Sequence, residues 1–522
     1  MDADRYWFDA SVNVQPLGGT DMSLVTRNII SNIVGGGLLA VLTILITPLQ
    51  VRLLGLEAFG VIGLIATLQI VFMALDFGLA STLTREIAAD QSINKVRVRP
   101  LLQSASTIFW VLAIATTAVV VLFSKPLANR WLQSQGLSST DLANSITVVA
   151  VYLALRWPVS LYTGVLTGLQ RMDLLNWLKV LNGLVRLGGG CLVLLFYKSL
   201  FSYLLWTSIS AVIEVVSYWL CTNRVFPSLP MRPKITFSAL APVLRFALGM
   251  NGLAILTVVI VQADRLLISK MLSLFDLGAY SLAHSTSYIT ASFISAIGAA
   301  LLPAYASSFG KGGHSRMIVE YENGSRFLLY SAGLIVFPFI FHGQTILHLW
   351  VGDPAATAAS LPLALLSVGF WGSAIVSNAF QLAIASGSPG PVLRISFLSA
   401  PIYLLILYIA IAKFGIVGAA SAWAILNIGY VISIVPLAHR IYLHSSAAPF
   451  FWRIAGPYTL IGLLLFGGTR LLSDTVILKQ QTIFLLIVLA SFCYVVAGFF
   501  LLAPDSRQKL LSPLRRWFSH RF

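Results

Sequence analysis

Charged residues and cysteines are scarce in this sequence. Only 10% of the 522 residues are Asp, Glu, Lys or Arg, against roughly 25% in soluble domains. The three cysteines, Cys191, Cys221 and Cys493, are odd in number and show no metal-ligand spacing. The cysteines therefore do not indicate a disulfide framework or a metal site. We expect the cysteines to pack within or beside apolar helices.

Apolar residues dominate instead. They account for 58% of the chain, and the mean hydropathy is +0.87. Apolar segments near the roughly 20 residues that a bilayer core requires recur along the whole chain. The fourteen predicted spans are 27–50, 60–82, 101–123, 145–168, 174–197, 200–222, 242–266, 278–305, 326–348, 360–385, 394–412, 416–438, 452–471 and 480–503. The sequence therefore predicts an all-α polytopic membrane protein with about fourteen transmembrane helices.

Lysine and arginine are distributed unevenly between the predicted loops. With the N-terminus in the cytoplasm, 22 of them fall on the inner side and 8 on the outer side. This bias follows the positive-inside rule and predicts cytoplasmic N- and C-termini. It also accounts for the net charge of +16 without a nucleic-acid partner, because a basic cytoplasmic rim faces anionic lipid.

The two halves of the chain show a repeat. Gly60 and Gly278 are 218 positions apart (278 − 60), and each opens a predicted span eight residues after a basic residue. Two further matches, at offsets of 220 and 219, are Gly78-Leu79-Ala80 with Gly298-Ala299-Ala300 and Gly168 with Gly387. An offset of six spans preserves direction, so the repeat predicts two parallel six-helix lobes related by an axis along the membrane normal.

The repeat also sets the predicted domain organisation. The predicted parts are a cytoplasmic tail (1–24), an N-lobe (25–222), a cytoplasmic linker (223–241), a C-lobe (242–438), two further helices (439–503) and a basic cytoplasmic tail (504–522). The last two helices lie outside the twofold repeat. We therefore expect two equivalent lobes and an added C-terminal pair.

Two arginines lie in the middle of predicted spans. Arg156 and Arg186 are each 15 positions from Arg171 (171 − 156 and 186 − 171), which lies at the turn between their spans. Equal distances from one turn place both guanidinium groups at the same depth on antiparallel helices. Charge at this depth is kept only where it faces a bundle interior, a partner or water. The pair predicts a site for an anion, and Pro158 predicts a bend beside Arg156.

An ion pair with a nearby acid is the alternative for these arginines. Glu214, in the sixth predicted span, has a depth similar to that of Lys179, so we expect those two residues to pair. Lys179 is also a candidate substrate contact. Arg27 and Arg52 bracket the first span, where a terminal arginine is commonly an interface anchor. Both remain candidate substrate contacts, Arg27 at the cytoplasmic entrance.

A few polar residues are candidates for ion coupling. Asp264 and Gln262 lie near the predicted outer end of the seventh span. A carboxylate within a membrane bundle is a candidate for H⁺ or Na⁺ coupling; the alternative for Asp264 is a self-contained interfacial pair with Arg265. Asp76, near the inner end of the second span, is a third candidate, and its alternative is a helix contact with Arg85.

Several segments carry a family resemblance. They are the runs 54–64, 76–80, 84–88, 168–171, 262–268 and 276–280, with Pro303. Between residues 25 and 440 they resemble the first hairpin and the fourth, seventh and eighth helices of the polysaccharide transporter family, the Wzx-like oligosaccharide flippases. That family belongs to the multidrug/oligosaccharidyl-lipid/polysaccharide exporter superfamily.

The resemblance implies two six-helix lobes in a V that opens alternately to the two sides of the membrane. Such proteins translocate polyprenyl-diphosphate-linked oligosaccharides, the repeat units of O-antigen, capsule or exopolysaccharide, from the inner to the outer leaflet of the bacterial cytoplasmic (inner) membrane. The implied partners are this substrate, the bilayer, and polysaccharide polymerase and chain-length regulator proteins. A diphosphate suits Arg156 and Arg186, because a guanidinium is a planar fork of donors that stays charged.

Three alternatives stay open. An ion-coupled multidrug extruder of the same superfamily needs acids to receive cationic drugs, whereas this chain places cations within its spans. A lipid II flippase also has fourteen spans and a cationic cavity, but its first-helix pattern is not evident. A membrane-embedded polysaccharide polymerase or glycosyltransferase needs carboxylates or a large outer loop. The longest predicted outer loop, 124–144, carries one acid, Asp141.

Catalytic signatures are also missing. The sequence has no HExxH, P-loop or serine-elbow motif. We therefore expect a protein that is not an enzyme and that holds no metal and no cofactor beyond a coupling ion.

Overall fold

The computed structural model describes residues 21–74, 78–90, 98–225, 258, 260–311, 313–476, 479–504 and 507–508; side chains at 21–37, 40 and 310–314 are excepted. The helices in this part of the chain are α1 (Asp21–Ala74), α2 (Leu79–Ala89), α3 (Arg99–Pro126), α4 (Ser139–Ala154), α5 (Arg156–Gly168), α6 (Met172–Tyr197), α7 (Leu200–Val225), α8 (260–271), α9 (Leu274–Lys311), α10 (Gly313–Trp350), α11 (Ala355–Ala385), α12 (Gly390–Tyr442), α13 (Ala448–Thr475) and α14 (Gln480–Leu501). The described residues form no strand, only an isolated bridge between Gln133 and Ser273.

Eleven helices of the described chain are long and apolar enough to cross a membrane, so the predicted all-α membrane fold is confirmed. Two of them, α1 and α12, contain a non-helical glycine, Gly55 (φ 80) and Gly415 (φ 58), and each covers two predicted spans. Positive φ is accessible to glycine at little steric cost, so the chain bends there. The seventh predicted span, 242–266, lies mostly outside the described residues, and the number fourteen stays a prediction.

The predicted repeat appears in the structure as paired contacts. A β-carbon on Gly278 would lie 1.9 Å from the carbonyl oxygen of Leu56, and one on Gly60 would lie 2.4 Å from that of Leu274. The two contacts are equivalent, because Leu56 and Leu274 are separated by the same 218 positions as Gly60 and Gly278. Reciprocal contacts of this kind occur next to a twofold axis. The axis therefore passes between α1 and α9, where only glycine fits.

The buried core shows how the lobes meet. One hydrophobic cluster combines residues of both lobes, among them Leu56, Tyr152, Leu274 and Tyr280. It lies towards the end of the bundle at which α1 bends at Gly55, which we call the Gly55 end. The other two clusters contain residues of one lobe each, apart from α13 and α14, which join the C-lobe cluster. Among the described residues, the lobes thus share one core at the Gly55 end, and each also has a core of its own.

The C-terminal helices α13 and α14 pack on α10. A β-carbon on Gly462 would lie 2.2 Å from the Phe337 ring, and one on Gly333 would lie 1.9 Å from the Tyr494 hydroxyl. Both glycines therefore permit close helix approach. This pair is attached to the C-lobe, apart from the interface between the lobes.

Candidate functional site: a cationic cavity between the lobes

A cavity of about 280 Å³ lies between the two lobes. Its walls come from α1, α4 and α6 to α9, and its polar lining residues are Thr43, Thr47, Gln50, Gln69, Tyr152, Arg186, Tyr203, Thr207, Arg265, Ser281 and Ser285. None of the described residues that line it is an acid. An arginine from each lobe therefore lines the cavity, because Arg186 belongs to α6 and Arg265 to α8.

Arg186 reaches the cavity through a chain of hydrogen bonds. Its Nη1 donates to the Tyr152 hydroxyl at 3.0 Å, and that hydroxyl donates to Gln69 Oε1 at 2.5 Å. No ion pair of the described residues includes Arg186. Arg186 is thus held in place by a neutral phenol at the cavity wall, and its role as a substrate contact stays a prediction.

Arg156 differs from Arg186. It forms an ion pair with Glu214, and both side chains are buried, with 9% and 14% of their surface exposed. Its guanidinium carbon also lies 5.1 Å from the centroid of the Tyr152 ring. The expectation that Arg156 has no acidic partner is wrong, and so is the expected pair of Lys179 with Glu214. The Arg156 guanidinium lies over the Tyr152 ring, whereas Arg186 donates to the hydroxyl of the same residue.

Helix ends explain the wrong pairing. Matching depths by the predicted ends put Glu214 beside Lys179. In the structure α7 is helical at least as far as Val225, the last residue described there, so Glu214 lies deeper than the predicted end at 222 suggests. Arg156 lies 12 residues before the end of α5 at Gly168 (168 − 156), and its ion pair shows that the two residues are at the same depth on neighbouring helices.

A break in the fourth span positions Arg156. Helix α4 ends at Ala154, and α5 begins at Arg156 after Leu155, whose ψ is −7°. Pro158 has no N–H to donate to the carbonyl of Ala154, four residues earlier, so the regular ladder cannot continue. The bend predicted beside Arg156 is present.

Arg265 is a cavity residue that the sequence interpretation placed at a helix end. Helix α8 extends to residue 271, so Arg265 lies within it instead. Its Nη2 lies 3.4 Å from His284 Nε2, and its Nε is 3.9 Å from Asp264 Oδ1. The ion pair of Asp264 with Arg265, which the sequence offered as the alternative to ion coupling, is therefore present, and the Arg265 side chain also lines the cavity.

Asp264 is held by the C-lobe interior. One carboxylate oxygen accepts from the Tyr280 hydroxyl at 2.6 Å, and the other from the backbone N–H of Arg265 at 2.7 Å. Gln262 is also buried, and its Oε1 has no hydrogen-bond partner in the described structure. The two ion-coupling candidates are therefore both buried, and neither is among the described residues that line the cavity.

The other predicted contacts have different positions. Arg52 is exposed and donates to the carbonyls of Leu349, Trp350 and Val351 at 3.1–3.4 Å. Lys179 lies seven residues before Arg186 on α6, two helical turns away on the same face. This is the direction away from the Gly55 end, and Lys179 is exposed there. The side chain of Arg27, and Asp76 as a whole, lie outside the described residues.

Sequence reasoning missed the neutral residues that line the cavity. Gln50 Nε2 donates to the Tyr203 hydroxyl at 2.6 Å, alongside the pair of Tyr152 with Gln69. A signal was available, because Tyr152 lies one helical turn before Arg156 and both glutamines lie near or within spans. Tyrosine and glutamine are too common near spans for that signal to single them out.

The cavity is closed at the Gly55 end by two equivalent clasps. In one, Arg52 binds the α10 end as described, and Trp350 Nε1 donates to the Ile44 carbonyl at 3.1 Å. In the other, Lys270 Nζ donates to the Arg130 carbonyl at 3.0 Å and Trp131 Nε1 to Ser269 Oγ at 3.1 Å. The repeat offset relates the clasps, since Lys270 follows Arg52 by 218 positions and Trp350 follows Trp131 by 219.

The two lobes pack around a polar cavity that is closed at one end. This arrangement is typical of a membrane transporter. The comparison with known families agrees. A family model described as "Polysaccharide biosynthesis protein" matches residues 25–309. The chain belongs to this family, and the resemblance stated from the sequence is confirmed.

A curated relative supports the assignment. The chain is 25% identical over 410 residues to a protein of Shigella flexneri named "Putative O-antigen transporter", covering 77% of this chain and 95% of that protein.

Solved structures share the fold. The lipid II flippase MurJ in an inward closed conformation matches with a TM-score of 0.66 at 14% identity, over 94% of this chain and 99% of that one. An inward-facing multidrug resistance MATE transporter of the MOP superfamily matches with a TM-score of 0.60 at 13% identity, over 76% and 94%. At such identities the likeness shows the fold alone.

Proposed function

We propose that this protein is a flippase for an oligosaccharide linked to a polyprenyl diphosphate, a repeat unit of O-antigen, capsule or exopolysaccharide. It moves this lipid from the inner to the outer leaflet of a bacterial cytoplasmic membrane. The observation that supports the proposal is that Arg186 and Arg265, one from each lobe, line a single cavity, and that the described lining residues include no acid.

The electrostatics suit a diphosphate headgroup. Moving such an anion through a low-dielectric region is costly unless fixed cations accompany it. A guanidinium offers donors in a planar fork that matches phosphate oxygens and stays charged. Arg186 and Arg265 supply two such forks, and the neutral amides and hydroxyls around them are suited to sugar hydroxyls.

The clasps suggest the direction of access. The positive-inside rule places the Gly55 end at the outer surface, so the conformation described is closed to the outside. Export requires the clasps of Arg52 and Lys270 to open while the lobes approach each other at the cytoplasmic end. Lys179, on the Arg186 face nearer that end, is a candidate first contact for an entering headgroup, as is Arg27.

The rival functions fit this cavity less well. A multidrug extruder for cationic drugs needs carboxylates on the cavity wall, and the lining residues include none. A lipid II flippase shares the fold and the need for cations, and it stays the alternative substrate within this proposal. Polysaccharide polymerase and chain-length regulator proteins are the expected partners downstream, and we expect no enzymatic step in this chain.

Coupling to H⁺ or Na⁺ is a separate part of the proposal. Asp264 is buried beside Arg265, and Gln262 Oε1 is a buried acceptor without a hydrogen-bond partner. Asp264→Asn is expected to remove the dependence of export on the ion gradient, whereas Tyr280→Phe keeps the carboxylate and is expected to preserve it. Export by Asp264→Asn that still follows the gradient fully would exclude this site.

Export itself is tested by complementation. In a strain that lacks the gene, the polyprenyl-diphosphate oligosaccharide is expected to accumulate in the inner leaflet, and the wild-type gene to clear it. Arg186→Ala and Arg265→Ala are each expected to leave the accumulation in place, and Lys125→Ala, an exposed cation on α3, to clear it. Complete clearance by both arginine variants, at wild-type membrane levels, would overturn the headgroup site.

A further inference from the structure

A second cavity, of about 330 Å³, lies on the opposite side of the second half of α1. Its walls come from α1, α3, the turn that follows α3, α4 and α8. All but two of its lining residues are aliphatic or phenylalanine; the exceptions are Trp131 and Ser269, whose polar atoms bond each other at 3.1 Å. The cavity therefore offers a ligand no free hydrogen-bonding group among its lining side chains.

The two cavities are neighbours across a single helix. On α1, Leu64, Leu68 and Phe72 follow one another at helical spacing and line the apolar cavity. Gly63 and Gln69 line the cationic cavity, and Ile65 lines both.

The same division occurs on α8. Arg265 lines the cationic cavity and the next residue, Leu266, lines the apolar one. The cavities therefore adjoin where the N-lobe helix α1 meets the C-lobe helix α8.

Elementary energetics restrict what can occupy the apolar cavity. A buried water needs two or more polar partners, which this lining does not provide. An empty void forfeits the dispersion contacts of its lining atoms. Within a membrane, the available ligand is a hydrocarbon chain. Its transfer from the bilayer into this cavity gains no hydrophobic free energy, because both surroundings are apolar. A chain is therefore retained only by close packing or by attachment to something bound nearby.

We propose that the apolar cavity receives the isoprene units nearest the diphosphate of the lipid-linked substrate. This inference rests on the proposed function. The diphosphate at Arg265 would tether its own chain beside Leu266, which gives that chain a high effective concentration that a bilayer acyl chain does not have. The apolar cavity thus binds the branched hydrocarbon, and the cationic cavity binds the diphosphate.

The location of the site links it to transport. The wall of the apolar cavity combines N-lobe residues such as Leu68 with Leu266 and Ser269 of the C-lobe. When the lobes separate at the Gly55 end, these walls part and the cavity is lost. The isoprenoid chain is therefore held in the conformation closed at that end and released in the other.

Photo-cross-linking in proteoliposomes tests the assignment. The chain probe is a polyprenyl diphosphate with a diazirine in its first isoprene unit, and labelled peptides are located by mass spectrometry. We expect labelling of residues 61–72 of α1 and 146–153 of α4. Leu68→Trp fills the cavity and is expected to lower this labelling about tenfold, because close-packed sites do not accept added volume. Leu122→Trp, the same change at a side chain that is 74% exposed, is expected to leave it unchanged.

A second variant guards against misfolding. Leu68→Ala enlarges the cavity and is expected to retain labelling, so loss in both Leu68 variants would contradict a steric effect. A phosphatidylethanolamine with a diazirine in its acyl chain is the competing probe. If it labels the same segments and an excess of unlabelled polyprenyl diphosphate does not reduce that labelling, the cavity belongs to bilayer lipid and the inference is overturned. Chain-probe labelling elsewhere overturns it as well.

A headgroup probe separates the two proposals. It carries the diazirine on the first sugar, and we expect it to label the segments around Gln69, Tyr152 and Arg186. Labelling there with chain-probe labelling outside the apolar cavity removes only the isoprenoid site. Absence of headgroup labelling removes the proposed function, and the isoprenoid inference with it.

Discussion

At the repeat offset of 219 positions, the charged residues inside the N-lobe have neutral counterparts in the C-lobe. Arg156, Glu214 and Arg186 correspond, in that order, to Ile375, Ser433 and Leu405. Ile375 is buried and Leu405 is exposed, so the C-lobe builds the same helices without these charges. The helices of this scaffold can therefore be built without these charges, which are specific to the N-lobe.

The Gly55 end shows the opposite relation between the lobes. There the equivalent residues do equivalent things: Arg52 and Lys270 each bind a carbonyl of the other lobe, and Trp131 and Trp350 each donate across the interface. The symmetric part of the molecule is thus the closure, and the asymmetric part is the interior. Substitutions that exchange residues between the lobes test this division.

The largest effect is expected from splitting the buried ion pair. Arg156→Ala leaves Glu214 charged and unpaired in the interior, which costs about 3–5 kcal/mol of stability. The double variant Arg156→Ile/Glu214→Ser installs the residues of the C-lobe and is expected to recover most of this loss. Thermal unfolding of the purified protein in detergent, followed by tryptophan fluorescence, measures both. A double variant no more stable than Arg156→Ala would show that the pair is not what holds this region.

A smaller effect is expected at the twofold axis. Gly278→Ala places a methyl group against the Leu56 carbonyl, and overpacking of this kind costs about 1–3 kcal/mol. Since the clash exists only while the lobes touch, the closed Gly55 end is disfavoured. Disulfide formation between cysteines introduced at Gln133 and Ser273, in a variant without the native cysteines, is expected to fall.

The control for this substitution lies in α12. A β-carbon on Gly429 meets nothing within 4 Å, so Gly429→Ala is expected to leave the cross-link unchanged. Equal cross-linking in the Gly278 and Gly429 variants would refute the close contact at the axis.

The smallest effects are expected from single halves of the clasp. Exposed charged contacts contribute below about 1 kcal/mol, so Arg52→Ala and Lys270→Ala are each expected to lower the same cross-link a few-fold at most. If the clasps are equivalent and independent, the double variant shows the sum of the two changes in free energy. A large loss of cross-linking in one variant and none in the other would show that the two clasps are not equivalent.

Sequence reasoning reached the architecture because its signals are long. Apolar runs of spanning length and a repeat at 218–220 positions can be recognised even when each predicted helix end is wrong by a few residues. The closeness of Arg156 and Arg186 was also predictable, since both are measured from the same turn at Arg171, and both contact Tyr152 in the structure.

Side-chain partners, in contrast, can be predicted only if each helix end is correct to within a few residues. Helix α7 extends past its predicted end at 222, and Glu214 pairs with Arg156 instead of Lys179. Five residues at the end of α8 (271 − 266) moved Arg265 from the interface into the cavity wall. Depth along a helix also leaves its rotation undetermined, and rotation decides which side chains face the cavity.

The paired glycines at the axis have a mechanical consequence. At Gly60 and Gly278 the lobes touch through backbone atoms with no side chain between them. Interlocked side chains must change rotamer or separate before two helices can turn against each other, but bare backbone has nothing to disengage. At these two positions α1 and α9 can therefore turn against each other without any side chain having to separate first.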